Sequence, residues 1–230
     1  MNYLIVVPAR GGSKGIPGKN IYPINGKPLL EYTLEVALNA GLNNVDIVVS
    51  TDSEKIKSVA LKYKDVYIID RPAEISGDKA STESALLHAL AIMEEKTSKK
   101  YDGVLTLQAT SPLRKPETLR RFIDEYEKYY PQYDALLSLN EDRSDFWHMV
   151  DTDTYERLFK DAPRRRQERE PLFVENSAYY LTGTDALRNT GSVLGSSVNG
   201  FIIDSYEAVD INEMIDIYIA EGILRGIGGY

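Results

Sequence analysis

Cysteine is absent from the 230 residues, which excludes disulfides and thiolate metal sites and makes the reducing cytoplasm the simplest location. No apolar run approaches the ~20 residues that a membrane-spanning helix needs. No basic segment precedes the short apolar stretch near the N-terminus, so neither a membrane partner nor a secretory signal is expected. A broad basic surface is lacking as well: the formal net charge is −8, a poor match to nucleic acid, whose binding rests on neutralising phosphates with Lys and Arg. Histidine is scarce, and His88, set among Leu86, Leu87 and Leu90, reads as a packed helix residue rather than a ligand. Acid itself is missing from one place. The first acidic residue is Glu31, so the opening segment holds Arg10, Lys14, Lys19 and Lys27 with no anion among them. The rest of the composition, 43% hydrophobic and 27% charged, is that of an ordinary globular chain long enough for one large α/β domain.

What fills the acid-free stretch is a strand and a loop. Leu4-Ile5-Val6-Val7 is a run of β-formers, and Ala9-Arg10-Gly11-Gly12-Ser13-Lys14-Gly15-Ile16-Pro17-Gly18-Lys19-Asn20 breaks it at the edge where open α/β sheets place their ligands. The glycines allow close backbone approach and convergent amide N–H groups, and Arg10, Lys14 and Lys19 add charge, so this reads as a phosphate-binding loop. Two familiar versions fail on spacing. A Walker A loop has four residues between its glycines and Ser or Thr after the lysine, whereas five separate Gly12 from Gly18 and Asn20 follows Lys19. A dinucleotide fingerprint opens straight into a helix, whereas Pro17, Pro23 and Pro28 keep this segment extended or turning until about residue 28, which argues against a dehydrogenase.

Further along, helical spacing from Pro28 to Ala40, a β-rich run Asp46–Ser50, N-cap residues Thr51-Asp52-Ser53, a strand Val66–Ile69, and a capped helix from Ser81 to about Glu95 repeat the strand-helix-strand order. Strands are expected at Asp102–Leu107 and Ala135–Leu139, with a helix at Pro116–Tyr129 between them. This order predicts a mostly parallel, Rossmann-like sheet with helices on both faces and right-handed crossovers. From about 141 to 172 the crossover signal stops, and Arg164-Arg165-Arg166-Gln167-Glu168-Arg169 stands out as three adjacent guanidinium groups suited to carboxylate or phosphate. The whole, residues 1–230, is read as one domain carrying this insertion. A strand Asn176–Leu181 follows, in which Tyr179 and Tyr180 must face opposite ways, so that at most one lines a site. Phe201–Ile203 then leads to Asp210-Ile211-Asn212 and a last helix.

The loop motif resembles that of the CMP-sialic acid synthetases (acylneuraminate cytidylyltransferases), and the likeness extends through most of the chain. Arg10, Ser13, Lys14, Lys19 and Asn20 fall at that family's positions. The resemblance implies that the loop, with Ala9 and Gly11, holds the phosphates of CTP, while Arg71, Asp78, Ser81 and Thr82 serve the nucleoside. It implies an acidic sugar near Gln108, Thr110 and Ser111 of Gln108-Ala109-Thr110-Ser111-Pro112-Leu113-Arg114, where Ala109 replaces the family's proline, and near Asn176, Tyr179 and Tyr180. It also implies that the 141–172 insertion is a dimerisation arm that sends Arg166-Gln167 to the partner's sugar in a homodimer with shared sites. Val193-Leu194 stand where sialic acid members carry bulky aromatics, implying a reshaped pocket. Where the family has two carboxylates spaced D-x-D for Mg²⁺ (or Mn²⁺), this chain has Asp210 and Asn212; one carboxylate with substrate phosphates suffices for such an ion. The expected reaction is therefore cytidylyl transfer from CTP to a nine-carbon keto acid, with Arg10, Lys19 and Asp210 as the catalytic groups. Transfer to an eight-carbon acid and a non-catalytic nucleotide-binding module are the alternatives.

Overall fold

The computed structural model describes residues 1–13 and 15–227. In chain order its elements are β1 (Tyr3–Pro8), a short hairpin of β2 (Pro23–Ile24) and β3 (Lys27–Pro28), α1 (Leu29–Asn39), β4 (Val45–Thr51), α2 (Glu54–Ala60), β5 (Val66–Asp70), α3 (Thr82–Thr97) and β6 (Gly103–Thr106). There follow α4 (Pro116–Tyr129), β7 (Ala135–Asp142), β8 (Trp147–Asp151), β9 (Thr154–Arg157), β10 (Leu172–Gly183), α5 (Thr184–Thr190), β11 (Val198–Ile202) and α6 (Met214–Ile227).

A seven-stranded sheet in the order β11-β7-β10-β6-β1-β4-β5 forms the core. Every neighbouring pair is parallel except those made by β10, which runs antiparallel to β6 and β7. The expected fold class is thus observed. Strand alternation divides β1 between two layers. Tyr3, Ile5 and Val7 pack with α1, α2 and α4 on one face, and Leu4 and Val6 pack with α3 and α5 on the other. Both faces are covered, which is why the central strands read as continuous apolar runs.

Local chemistry sets several boundaries. Pro116 occupies the first turn of α4 after an extended Lys115, and Ser81 caps α3 by accepting the Ser84 amide at 3.2 Å. Two features lay outside the sequence reading. The short α5 has too few residues to show a periodic face. Strands β7 and β10 are each longer than expected because they continue pairing with one another past the sheet, from Leu172 opposite Asp142 inward. Their extension carries the 141–172 insertion, where β8 and β9 form a separate antiparallel hairpin. Large apolar side chains on this arm, Trp147, Met149, Tyr155, Phe159 and Phe173 among them, are exposed.

Candidate active site

The chain runs from β1 to β4 on one side and later enters β6 on the other, so a crevice opens at the C-terminal ends of these strands, the usual ligand position in open α/β sheets. A cleft of about 430 Å³ lies there. Its walls are Pro8, Arg10, Ser13, Gly15, Lys19 and Asn20 from the first loop, Arg71, Asp78, Ala80, Ser81 and Thr82 beyond β5, Gln108 and Thr110 beyond β6, and Asn212. Residues spread over two hundred positions of sequence are brought together because parallel strands deliver all their C-terminal ends to one edge.

The first loop is hung on Ile16, which is buried with Ile24, Leu29, Ile211 and Ile217 between the hairpin and α6. Gly15 passes so close to the next segment that an added Cβ would sit 2.8 Å from the Asn212 carbonyl oxygen. Gly18, at φ 65°, turns the chain into a single 3-10 turn, Lys19–Ile21. Lys19 then donates from Nζ to the Ile211 carbonyl at 2.7 Å and to Asn212 Oδ1 at 3.4 Å, while Asn20 Nδ2 donates to the Arg10 carbonyl at 2.9 Å. Arg10 pairs with Asp78 at 3.1 Å. Arg71 donates to the Ser50 carbonyl at 2.7 Å and to Ser50 Oγ at 3.1 Å; its pKa is lowered, mainly by desolvation, with Asp52 opposing. Three cations thus face one crevice of an acidic chain, a field that concentrates a small anion there.

A side chamber of about 190 Å³ shares Thr82 and Gln108 with the cleft and is completed by Glu83, Thr106, Tyr180 and Val193. The Tyr180 hydroxyl donates to Glu175 and is 3.2 Å from Ser177 Oγ. Burial, then the Glu175 hydrogen bond, pushes its pKa up to about 12, so it stays a neutral donor at working pH.

Several expected site residues lie elsewhere. Tyr179 requires correction: it is fully buried, stacks on Phe122 at 5.2 Å and bonds to Glu207, so it is the member of the tyrosine pair that packs the core. Asn176 spends its side chain inside the strand region, accepting from Ser138 Oγ and the Ala178 amide and donating to Asn140. Ser111 is buried with no partner for its hydroxyl and is not a cleft wall, and Ala9 is buried in the core. The Gly11 amide donates to Asp52 Oδ1 at 2.7 Å, so this N–H is taken up within the protein. Arg166 and Gln167 form an exposed turn on the arm and are not among the cleft walls of their own chain. Lys14 lies outside the described residues. Asp210 Oδ2 accepts from Asn212 Nδ2 at 2.7 Å, and Oδ1 is buried without a protein partner. The N-terminal amides before α6 are taken by Asp216, which accepts from Asn212 and Glu213 at 2.8 Å each, so Asp210 does not serve as that helix's cap.

Sequence reasoning missed Asp52, Glu83, Arg114 and Glu207. Glu207 is buried against Thr118 Oγ1, the Lys115 amide and Tyr179, and desolvation raises its pKa. A charged residue in a polar stretch gives no sequence signal that it will be buried.

Fold and cleft define an α/β protein with a cation-lined crevice at the sheet's switch point. Comparison with known proteins narrows the class. The family model described as cytidylyltransferase matches residues 4–211. Pseudaminic acid cytidylyltransferase of Campylobacter jejuni is 32% identical, over 96% of this chain and 95% of the relative. CMP-N,N'-diacetyllegionaminic acid synthase of Legionella pneumophila is 31% identical, over 98% and 97% respectively. Among solved structures, a CMP:2-keto-3-deoxy-manno-octonic acid synthetase complexed with CTP shares the fold at TM-score 0.66 and 16% identity, over 99% of this chain and 100% of the other. The chain belongs to the cytidylyltransferase family, a family of nucleotidyltransferases.

Proposed function

We propose that this protein transfers the cytidylyl group of CTP to an acidic nine-carbon keto sugar of the sialic, pseudaminic or legionaminic type, releasing pyrophosphate. The observation that carries the reading is the cleft itself: Arg10, Lys19 and Arg71 line it together with Gln108 and Thr110, and the Tyr180 chamber adjoins it through Thr82 and Gln108. The names of the pseudaminic and legionaminic acid relatives, which align over nearly the whole chain, support this sugar class over the eight-carbon acid. The anomeric hydroxyl attacks the α-phosphorus in line, the bond to the β-phosphate oxygen breaks, and the hydroxyl proton is lost. Lys19 and Arg10 neutralise the triphosphate, and Gln108 orients the sugar; catalysis is mostly positioning and charge stabilisation.

Mg²⁺ (or Mn²⁺) is the cofactor this chemistry implies. The residues present fit it: the buried, unpartnered Oδ1 of Asp210 is a hard anionic donor, and a neighbouring amide oxygen belongs to Asn212. An ion there would take its remaining ligands from substrate phosphates and water. Bound there, the ion would offset charge on the phosphates and the leaving pyrophosphate. Asp210→Ala is expected to raise the Mg²⁺ concentration for half-maximal activity, and Asn212→Asp to lower it or leave it; an unchanged Mg²⁺ titration in the Asp210 variant rejects the assignment.

The exposed apolar arm supports a homodimer, with Arg166 and Gln167 reaching the partner's sugar end. A cytoplasmic setting fits the absence of cysteine, and among the described residues no helix is long and apolar enough to cross a membrane. The direct test is pyrophosphate release with CTP or UTP, Mg²⁺ and a panel of eight- and nine-carbon keto acids. Release is expected with CTP and a nine-carbon acid; a higher kcat/KM for an eight-carbon acid overturns the sugar assignment, and CTP binding without release for any sugar overturns the reaction.

A further inference from the structure

We propose that Arg114 is a positioning residue for the sugar side of the cleft, its buried guanidinium fixing the main chain of Gln108 and Ala178 and thereby the side chains of Gln108 and Tyr180. The inference rests on the sugar assignment above. Arg114 is only 4% exposed. Nη1 donates to the Ala178 carbonyl at 2.7 Å, and Nη2 donates to Thr33 Oγ1 and the Gln108 carbonyl, each at 2.5 Å. The guanidinium carbon lies 5.7 Å from the Tyr179 ring centroid, and Nε has no partner. Burial lowers its pKa to about 10, with Tyr179, Asp210 and Glu207 opposing that shift, so it is a cation at neutral pH.

Placing a guanidinium there is costly, and an aliphatic side chain would fill the space without desolvating a charge. What arginine adds is a planar fork whose donors reach several acceptors at fixed angles. The acceptors belong to three elements, and two of them sit where the sheet stops holding its own strands. The β6 ladder ends at Thr106; beyond the Leu107 amide, which donates to the Val6 carbonyl, the Gln108–Ser111 turn has left it. In β10 the pairing with β7 shifts register between Glu175 and Tyr180, with Ser177 at φ 60°. Ala178 lies inside that gap. One side chain therefore braces both irregular stretches, and each carries a residue that lines the cleft or its side chamber: Gln108 lines both, Tyr180 the chamber. Thr33 ties the brace to α1.

Arg114→Lys keeps the charge and loses the fork. With CTP and the best nine-carbon acid of the panel, its KM for the sugar is expected to rise about tenfold while KM for CTP stays within about twofold, the scale of one charge-assisted hydrogen bond lost on one substrate's side. Hydrogen exchange should quicken across residues 107–111 and 176–180 and not across β1. A variant that folds with only a lower Tm, or with both KM values raised equally, overturns the proposal. Should Arg114→Lys fail to fold, Thr33→Val, which removes one acceptor, decides it: a smaller rise in sugar KM supports the brace, and an unchanged one overturns it. If wild type turns over no sugar of the panel, the functional reading fails instead, and the exchange measurement still tests the bracing.

Discussion

Lys19→Ala is expected to lower kcat by about 100-fold or more, the usual cost of removing one preorganised group that meets developing charge. Both acceptors of its ammonium in this structure, the Ile211 carbonyl and Asn212 Oδ1, are uncharged. Its positive charge is therefore free to meet a phosphate, in a segment with no acidic residue before Glu31. Arg10 differs, because Asp78 already pairs with it at 3.1 Å, so Arg10→Ala should cost less than Lys19→Ala. Steady-state kinetics with CTP, together with CTP affinity measured without sugar, checks both. A Lys19→Ala protein with normal kcat and normal CTP affinity removes the phosphate role.

Mixing two inactive proteins should restore activity if sites are shared. In a two-fold dimer built as proposed, each site takes its core from one chain and Arg166-Gln167 from the other. Combine Lys19→Ala with Arg166→Ala after dissociation, and half the dimers are mixed. Each mixed dimer has one site bearing both lesions and one bearing neither, so activity recovers to roughly a quarter of wild type. The arm's geometry motivates the test: Arg166 and Gln167 are exposed and do not line their own chain's cleft, while apolar side chains such as Trp147 and Met149 stand uncovered on the same arm. If each site is made by one chain, every site in the mixture carries a lesion and nothing recovers; that result, with exchange of subunits verified by mass, ends the shared-site model.

Much of this was legible in the residues alone because it is local. The apolar, largely β-branched run at Leu4–Val7, the glycine loop after it and the proline that opens α4 at Pro116 act through backbone preferences within a few positions. The cleft's first loop, with Arg10 and Lys19, was legible in the same way; Arg71, Gln108 and Thr110 were expected only from the family resemblance, and they line the same cleft because parallel strands deliver their C-terminal ends to one edge. Alternation along β10 required Tyr179 and Tyr180 to face opposite ways. Which of them packs was decided by Phe122, far away in sequence on α4, and by the register shift before Tyr180. Partner choice was likewise a matter of tertiary contact: Asp52 takes the Gly11 amide, Asp216 rather than Asp210 takes the amides ahead of α6, and Arg114 is drawn inside by oxygens of Thr33, Gln108 and Ala178. Sequence determined where strands, turns and charges fall, because those depend on neighbours in the chain. The tertiary structure alone decided which polar groups are buried and with whom, because desolvation and hydrogen bonding depend on neighbours in space.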